Sequence, residues 1–187
     1  YDDGVAYRFS TTMKEPFFVE NEEAVFNFAD NYPVYAAYSN KWKGDETTIE
    51  QQFASSHENT YEHFKLSDWN QKRIAMTPLV VEAANGKKLG ILEADLLNYP
   101  GMYLHNSDGS PSLKGVFATY PKETKKGGGA LHHELVVARE NFIAKCEGKT
   151  NFPWRALAIA AKDYDLTNSD LVYKLATPNQ LSDISWV

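Results

Sequence analysis

The sequence predicts an all-β fold, an antiparallel sandwich with one short C-terminal helix. Three observations carry this. Apolar residues recur mostly with a period of two, at which strand side chains return to the same face. Asn85-Gly86 stands between two long apolar runs, where a two-residue hairpin turn needs both central residues at positive φ. A clear helical pattern occurs only near the end, at Ser169 to Ala176.

Taken in order, Val5, Tyr7 and Phe9 alternate, and so do Ala24, Phe26 and Phe28 around polar Asn27. Pro33 to Tyr38 reads as another short strand. Gly44 to Gln71 is polar and fits either an extended hairpin or a loop with a short helix. Arg73 to Ala84 reads as one long strand that Asn85-Gly86 turns back into Lys88 to Asp95. Later strands are expected at Leu113 to Tyr120, Leu131 to Arg139 and Arg155 to Ala161. Between the first two of these, Lys122, Lys125 and Lys126 lie beside Gly127 to Gly129 and read as a solvated loop. In the helix, Leu171, Val172 and Leu175 form the apolar face. Thr167 and Asp170 have capping-box spacing, and Pro178 stops the helix. With no internal repeat, the 187 residues are expected to form a single domain, 1–187.

The formal charge of −6 and a pI near 5.4 oppose a nucleic-acid surface, which needs clustered basic residues. No run of 18 apolar residues suggests a membrane span. One cysteine, Cys146, rules out an intrachain disulfide framework. Without a CxxC companion it reads as a neutral, partly buried thiol. Aromatic residues make up 13% of the chain, which suits both strands and sugar-stacking platforms.

The candidate chemistry centres on Glu93 and Asp95, at the end of the Leu89–Leu92 apolar run. A carboxylate at the end of a buried strand is costly unless paired, hydrogen-bonded or bound to a metal. In a regular strand Asp95 faces the same side as Glu93; the alternative is that it caps the Asn98-Tyr99-Pro100-Gly101 turn. Arg155, after Trp154, is expected to pair with a carboxylate, and Trp154 is a candidate sugar contact. His132 and Glu134 could share a strand face, but adjacent His132 and His133 point oppositely, and the HExxH spacing is absent. His57 and His63 lack ligand spacing. Asn106 to Ser110 resembles a calcium loop in composition but lacks the distal Glu, so it reads as a turn.

The words DDGVAYRF at Asp2 to Phe9, EADLLNYPGM at Glu93 to Met102 and FPWRALAI at Phe152 to Ile159 occur in that order. Together with ARENFIAKCEGKTNFPWR at Ala138 to Arg155 and the closing DLVYKLATPNQLSDISWV, they make the chain resemble the N-terminal domain of glycoside hydrolase family 97. That family comprises α-glucosidases and α-galactosidases typical of Bacteroidetes. The resemblance implies a β-supersandwich of the galactose mutarotase-like kind. It implies further strands before Tyr1 and a catalytic (β/α)8 barrel after Val187, acting on an α-linked glucoside or galactoside. It also implies export to the periplasm or secretion. The resemblance makes Glu93 a calcium ligand shared with the barrel, with Asp95 the runner-up. No residue of this chain is assigned as the catalytic acid or base. Two other readings stay open: a free-standing carbohydrate-binding module, and a mutarotase-like epimerase using His132, His133 and Glu134. Sheet edges and apolar surface left open by a missing barrel would favour a homodimer. The hairpin end, the Tyr99–Met102 turn and Trp186 are expected on that open face.

Overall fold

The computed structural model describes residues 1–39, 47–55, 58–127, 134–183 and 185–186. Its strands are β1 (Gly4–Tyr7), β2 (Ser10–Thr11), β3 (Phe17–Val19), β4 (Val25–Asn27), β5 (Pro33–Ala36), β6 (Glu62–Lys65), β7 (Ala75–Met76) and β8 (Leu79–Glu82). They continue as β9 (Lys88–Ala94), β10 (Met102–His105), β11 (Ser112–Phe117), β12 (Pro121–Lys126), β13 (Glu134–Arg139), β14 (Ala144–Cys146), β15 (Thr150–Asn151) and β16 (Trp154–Ala160). Three short α-helices are α1 (Ile49–Gln52), α2 (Asp163–Thr167) and α3 (Leu171–Leu175).

Two antiparallel sheets form the sandwich. One has six strands in the order β1-β16-β9-β8-β5-β6, the other four in the order β4-β11-β10-β7. Val34, Ala36, Leu79, Val81 and Ile91 from the first meet Phe26, Met102, Leu104, Leu113 and Phe117 from the second in one buried core. The outer face of β9 and β16 is covered as well. There Ala94, Ala156 and Ala158 pack against Leu171 and Leu175 of α3. Small side chains on these strands let the helix approach closely, which is why β9 reads as an almost unbroken apolar run.

The expected hairpin is present, but its turn has three residues, Ala84 to Gly86, with Ala83 N–H donating to Lys87 O at 2.8 Å. Asn85 has φ 60° and Gly86 φ 73°, and β8 pairs with β9 from Leu79 opposite Ile91 to Glu82 opposite Lys88. The long strand expected from Arg73 to Ala84 is instead two strands in different sheets: β7 pairs with β10, and β8 with β9. Between them stands Pro78, which has no N–H to donate to a ladder, and the Thr77–Pro78 peptide is cis. The ambiguous polar stretch holds both α1 and β6. At α1 Thr48 forms a capping box with Gln51.

Other expectations are corrected. The lysine segment is strand β12, fully exposed along its length and paired with β13, so it is solvated but not a loop. Residues 131–133 of the expected strand lie outside the described residues. Thr167 does not cap α3. Its hydroxyl donates to Tyr164 O at the end of α2, and Ser169 Oγ accepts from Leu171 N–H instead. Trp186 is exposed as expected, but Met102 is 2% exposed because it opens β10 in the core of the second sheet.

β1 alternates as its sequence suggests, with an unexpected sidedness. Gly4 faces α3, while Val5 and Tyr7, with Phe9 just beyond the strand, remain exposed. A methyl group at Gly4 would stand 2.5 Å from Leu157 O and 2.7 Å from Leu171 Cδ2. Gly4→Ala should therefore destabilise the domain by about 1–3 kcal/mol, the usual effect of overpacking. Chemical denaturation checks this, and an unchanged midpoint would mean that α3 is not seated on β1.

Candidate functional site

The site begins with strand register. β16 runs antiparallel to β9 with Arg155 directly opposite Glu93, and side chains facing each other across two strands interact. Arg155 Nη1 donates to Glu93 Oε2 at 2.7 Å. The other two nitrogens of the same guanidinium take Glu22 in a two-pronged grip, Nε to Oε1 at 2.7 Å and Nη2 to Oε2 at 2.8 Å. This fork geometry is the strong form of an arginine–carboxylate pair. Arg155 is 2% exposed, with the rings of Tyr99 and Phe117 against its guanidinium at 6.0 and 5.1 Å. Burial pushes the Tyr99 pKa upward, and the nearby charge of Glu22 adds to this.

Glu93 is held from its other side by the turn. Met102 N–H is shared between its two carboxylate oxygens, at 3.0 Å to each. Burial raises the Glu93 pKa above its ordinary 4.5, against the lowering effects of Met102 N–H and Arg155. Burial also disfavours the charged guanidinium. Its bonds to Glu22 and the charges of both glutamates outweigh this and hold Arg155 above its usual value. When all three groups are ionised, two carboxylates face one guanidinium, a formal charge of −1 in a buried place.

Glu93 also lines an open pocket of 360 Å³ walled by Phe53, Met76, Thr77, Gly101 and Tyr103. Among the described residues its Oε1 accepts from Met102 N–H alone, which leaves a lone pair. Gly101 sits beside this oxygen, and a Cβ there would stand 3.4 Å from it. This oxygen fits a hard cation as one ligand. The described residues do not make a complete cage, since no group of three His, Cys, Asp or Glu side chains among them could hold an ion.

The other expected residues lie elsewhere. Asp95 has φ 57°, which ends the regular strand and turns its side chain away from Glu93. Its carboxylate accepts from Thr177 N–H at 2.8 Å and lies 3.5 Å from Arg8 Nη1, so it fastens the C-terminal segment rather than capping the turn. Trp154 packs with the helix-side cluster under the Arg8 guanidinium, 4.5 Å from the ring centre. His63 bonds Glu82 at 2.8 Å and stacks on Tyr35 on the far side of the first sheet. Glu134 is exposed on β13, and His57, His132 and His133 lie outside the described residues. Cys146 is a buried free thiol. Asn106 is 2% exposed and organises its turn, accepting from Gly109 N–H at 2.8 Å.

Sequence reading paired Arg155 with an unspecified carboxylate and did not find Glu22. Glu22 lies in the run Glu20-Asn21-Glu22-Glu23, 133 positions before Arg155, and no local pattern separates it from its acidic neighbours.

A family described as the glycosyl hydrolase 97 N-terminal family matches residues 1–178. A retaining α-galactosidase of Bacteroides thetaiotaomicron is 41% identical over all 187 residues, which make up 28% of that protein. Among solved structures, a family 97 enzyme from Pseudoalteromonas sp. strain K8 in complex with acarbose superposes with a TM-score of 0.72 at 23% identity. A variant of that enzyme in complex with panose gives the same values. The match covers 100% of this chain and 24% of each of those chains. The chain therefore spans about a quarter of the length of these relatives.

Two outcomes follow from the charge arrangement. Arg155→Met leaves two buried carboxylates without their cation and should cost about 3–5 kcal/mol of stability. A loss below 1 kcal/mol would mean that the contact is not maintained in solution. The second outcome concerns pH. A folded-state pKa above the unfolded value means that the native state holds the proton more tightly. The stability from Glu93 is full below pH 4.5 and is lost as pH rises through the raised value. Glu93→Gln should remove this downward slope while leaving the fold intact. Parallel stability–pH curves for the two proteins would contradict the assignment.

Proposed function

The chain belongs to glycoside hydrolase family 97, as its N-terminal domain, and we propose that it closes one side of a sugar pocket and lends Glu93 to a calcium ion there. The observation that carries this reading is the Glu93 carboxylate: braced by Arg155 and Met102 N–H, it presents a spare oxygen lone pair to an open pocket. A buried triad of charge −1 favours a cation at that oxygen.

Calcium takes six to eight oxygen ligands and, when bound, would supply positive charge for polarising and orienting sugar hydroxyls. Within this chain, Glu93 is the ligand and Arg155 fixes its orientation. Met102 N–H ties the carboxylate to the turn, while Phe53 and Tyr103 form the aromatic wall. The remaining ligands, with the acid and base of glycoside hydrolysis, are assigned to a catalytic (β/α)8 barrel elsewhere in the parent polypeptide. The proposed substrate is an α-linked galactoside or glucoside. The 41%-identical relative, an α-galactosidase, supports the first of these.

In the full-length parent, Glu93→Gln should weaken calcium affinity at least tenfold and lower turnover of a p-nitrophenyl α-glycoside, with the thermal transition retained. Unchanged calcium dependence would remove Glu93 from the site. The 187-residue chain alone should bind calcium no more tightly than millimolar and hydrolyse neither p-nitrophenyl α-galactoside nor α-glucoside. Calorimetry showing micromolar binding would contradict the shared-site account.

A further inference from the structure

Glu22 faces two ways. Its carboxylate grips Arg155 on one side and, on the other, lines a second cleft of 240 Å³ with Phe9, Asn21, Glu23, Tyr99 and Phe152. This cleft shares no lining residue with the Glu93 pocket.

Its parts are firmly placed. Phe152 N–H donates to Phe9 O at 3.0 Å, which continues the β2–β15 ladder and fixes the two ring-bearing segments side by side. Tyr99 and Phe152 meet edge to face, with centroids 5.6 Å apart. Phe9 is 54% exposed and makes an edge contact with Tyr7, itself 42% exposed, at 5.8 Å. Phe9 thus presents an exposed ring beside half-buried Phe152 at the end of this ladder. Beside them stand oxygen and amide groups. Glu22 is immobilised by its grip on Arg155, whereas Asn21 and Glu23 are exposed and take no side-chain hydrogen bond among the described residues.

Rings beside fixed hydrogen-bond acceptors match a ligand with an apolar C–H face and a rim of hydroxyl donors. A purely apolar segment would strip water from Glu22 and Glu23 without replacing its hydrogen bonds. A cation would find both Glu22 oxygens taken by the Arg155 fork, whereas Glu93 gives Arg155 only one of its two. A neutral polyol needs only acceptors, and the cleft supplies them. We propose that this cleft is a second saccharide site, seating one pyranose ring against Phe9 and Phe152 with its hydroxyls on Glu22, Asn21 and Glu23. The choice of a sugar rests on the reading of the parent as a glycan-acting enzyme.

The test uses the full-length parent carrying Glu93→Gln. It is titrated by calorimetry with methyl 1-thio-α-galactoside and methyl 1-thio-α-glucoside, which resist hydrolysis. At least one sugar should bind at millimolar strength. Adding Phe9→Ala should weaken that binding at least tenfold, and adding Asn21→Ala severalfold, with unchanged circular dichroism. Binding that neither substitution weakens, or no binding at all, would overturn the proposal. Strong protection of residues 9 and 21–23 from hydrogen exchange, whether or not sugar is present, would also overturn it by showing that the rest of the polypeptide covers the cleft. The parent reading fails on a different result, the absence of α-glycosidase activity in the unsubstituted enzyme.

Discussion

One buried guanidinium holds the Glu93 end of this domain together. Arg155 joins β16 to β9 through Glu93 and to the segment before β4 through Glu22. The Tyr99 turn enters through its ring against the guanidinium. The bonds to both carboxylates are short, and the arginine has almost no contact with solvent. Replacing such a triad by apolar groups can be neutral or even stabilising, while removing one member is costly. Stability alone therefore does not explain its presence. It does explain a carboxylate held in one orientation at the edge of a pocket.

The surrounding fold makes that placement rigid. β9 is covered on both faces, by the second sheet through Ile91 and by α3 through Ala94, so Glu93 rides on a strand with little freedom to shift. The backbone then breaks at once, with Asp95 and Asn98 both at positive φ. This break brings Met102 N–H back onto Glu93 and begins β10. A continuous strand would carry Asp95 along the same face and leave the Glu93 oxygens without the turn's donor.

Much of this was legible in the residues. Asn85-Gly86 specified its hairpin because few other pairs accept two positive φ values. Glu93 stood out because an acid at the end of a buried strand demands a partner, and Arg155 because a buried arginine demands a carboxylate. What stayed hidden depends on distance or context. Glu22 reaches Arg155 only through the tertiary fold. Asp95 had the right spacing for the Glu93 face, but its left-handed backbone cancelled it. Pro78 split an apolar run between two sheets, which periodicity cannot show. β12 reads as a loop because a ribbon exposed on both faces carries no apolar alternation. Met102 was hidden in a turn signal, although it opens a core strand.

The most direct test of the central claim is a double-mutant cycle on the stability of this chain, combining Arg155→Met with Glu93→Gln and measured by urea denaturation at neutral pH. If Arg155 holds Glu93 as described, the two changes should be coupled by about 1–3 kcal/mol, as for residues sharing one ion-pair network. Additivity within about 0.5 kcal/mol would contradict the account and leave Glu93 without its anchor.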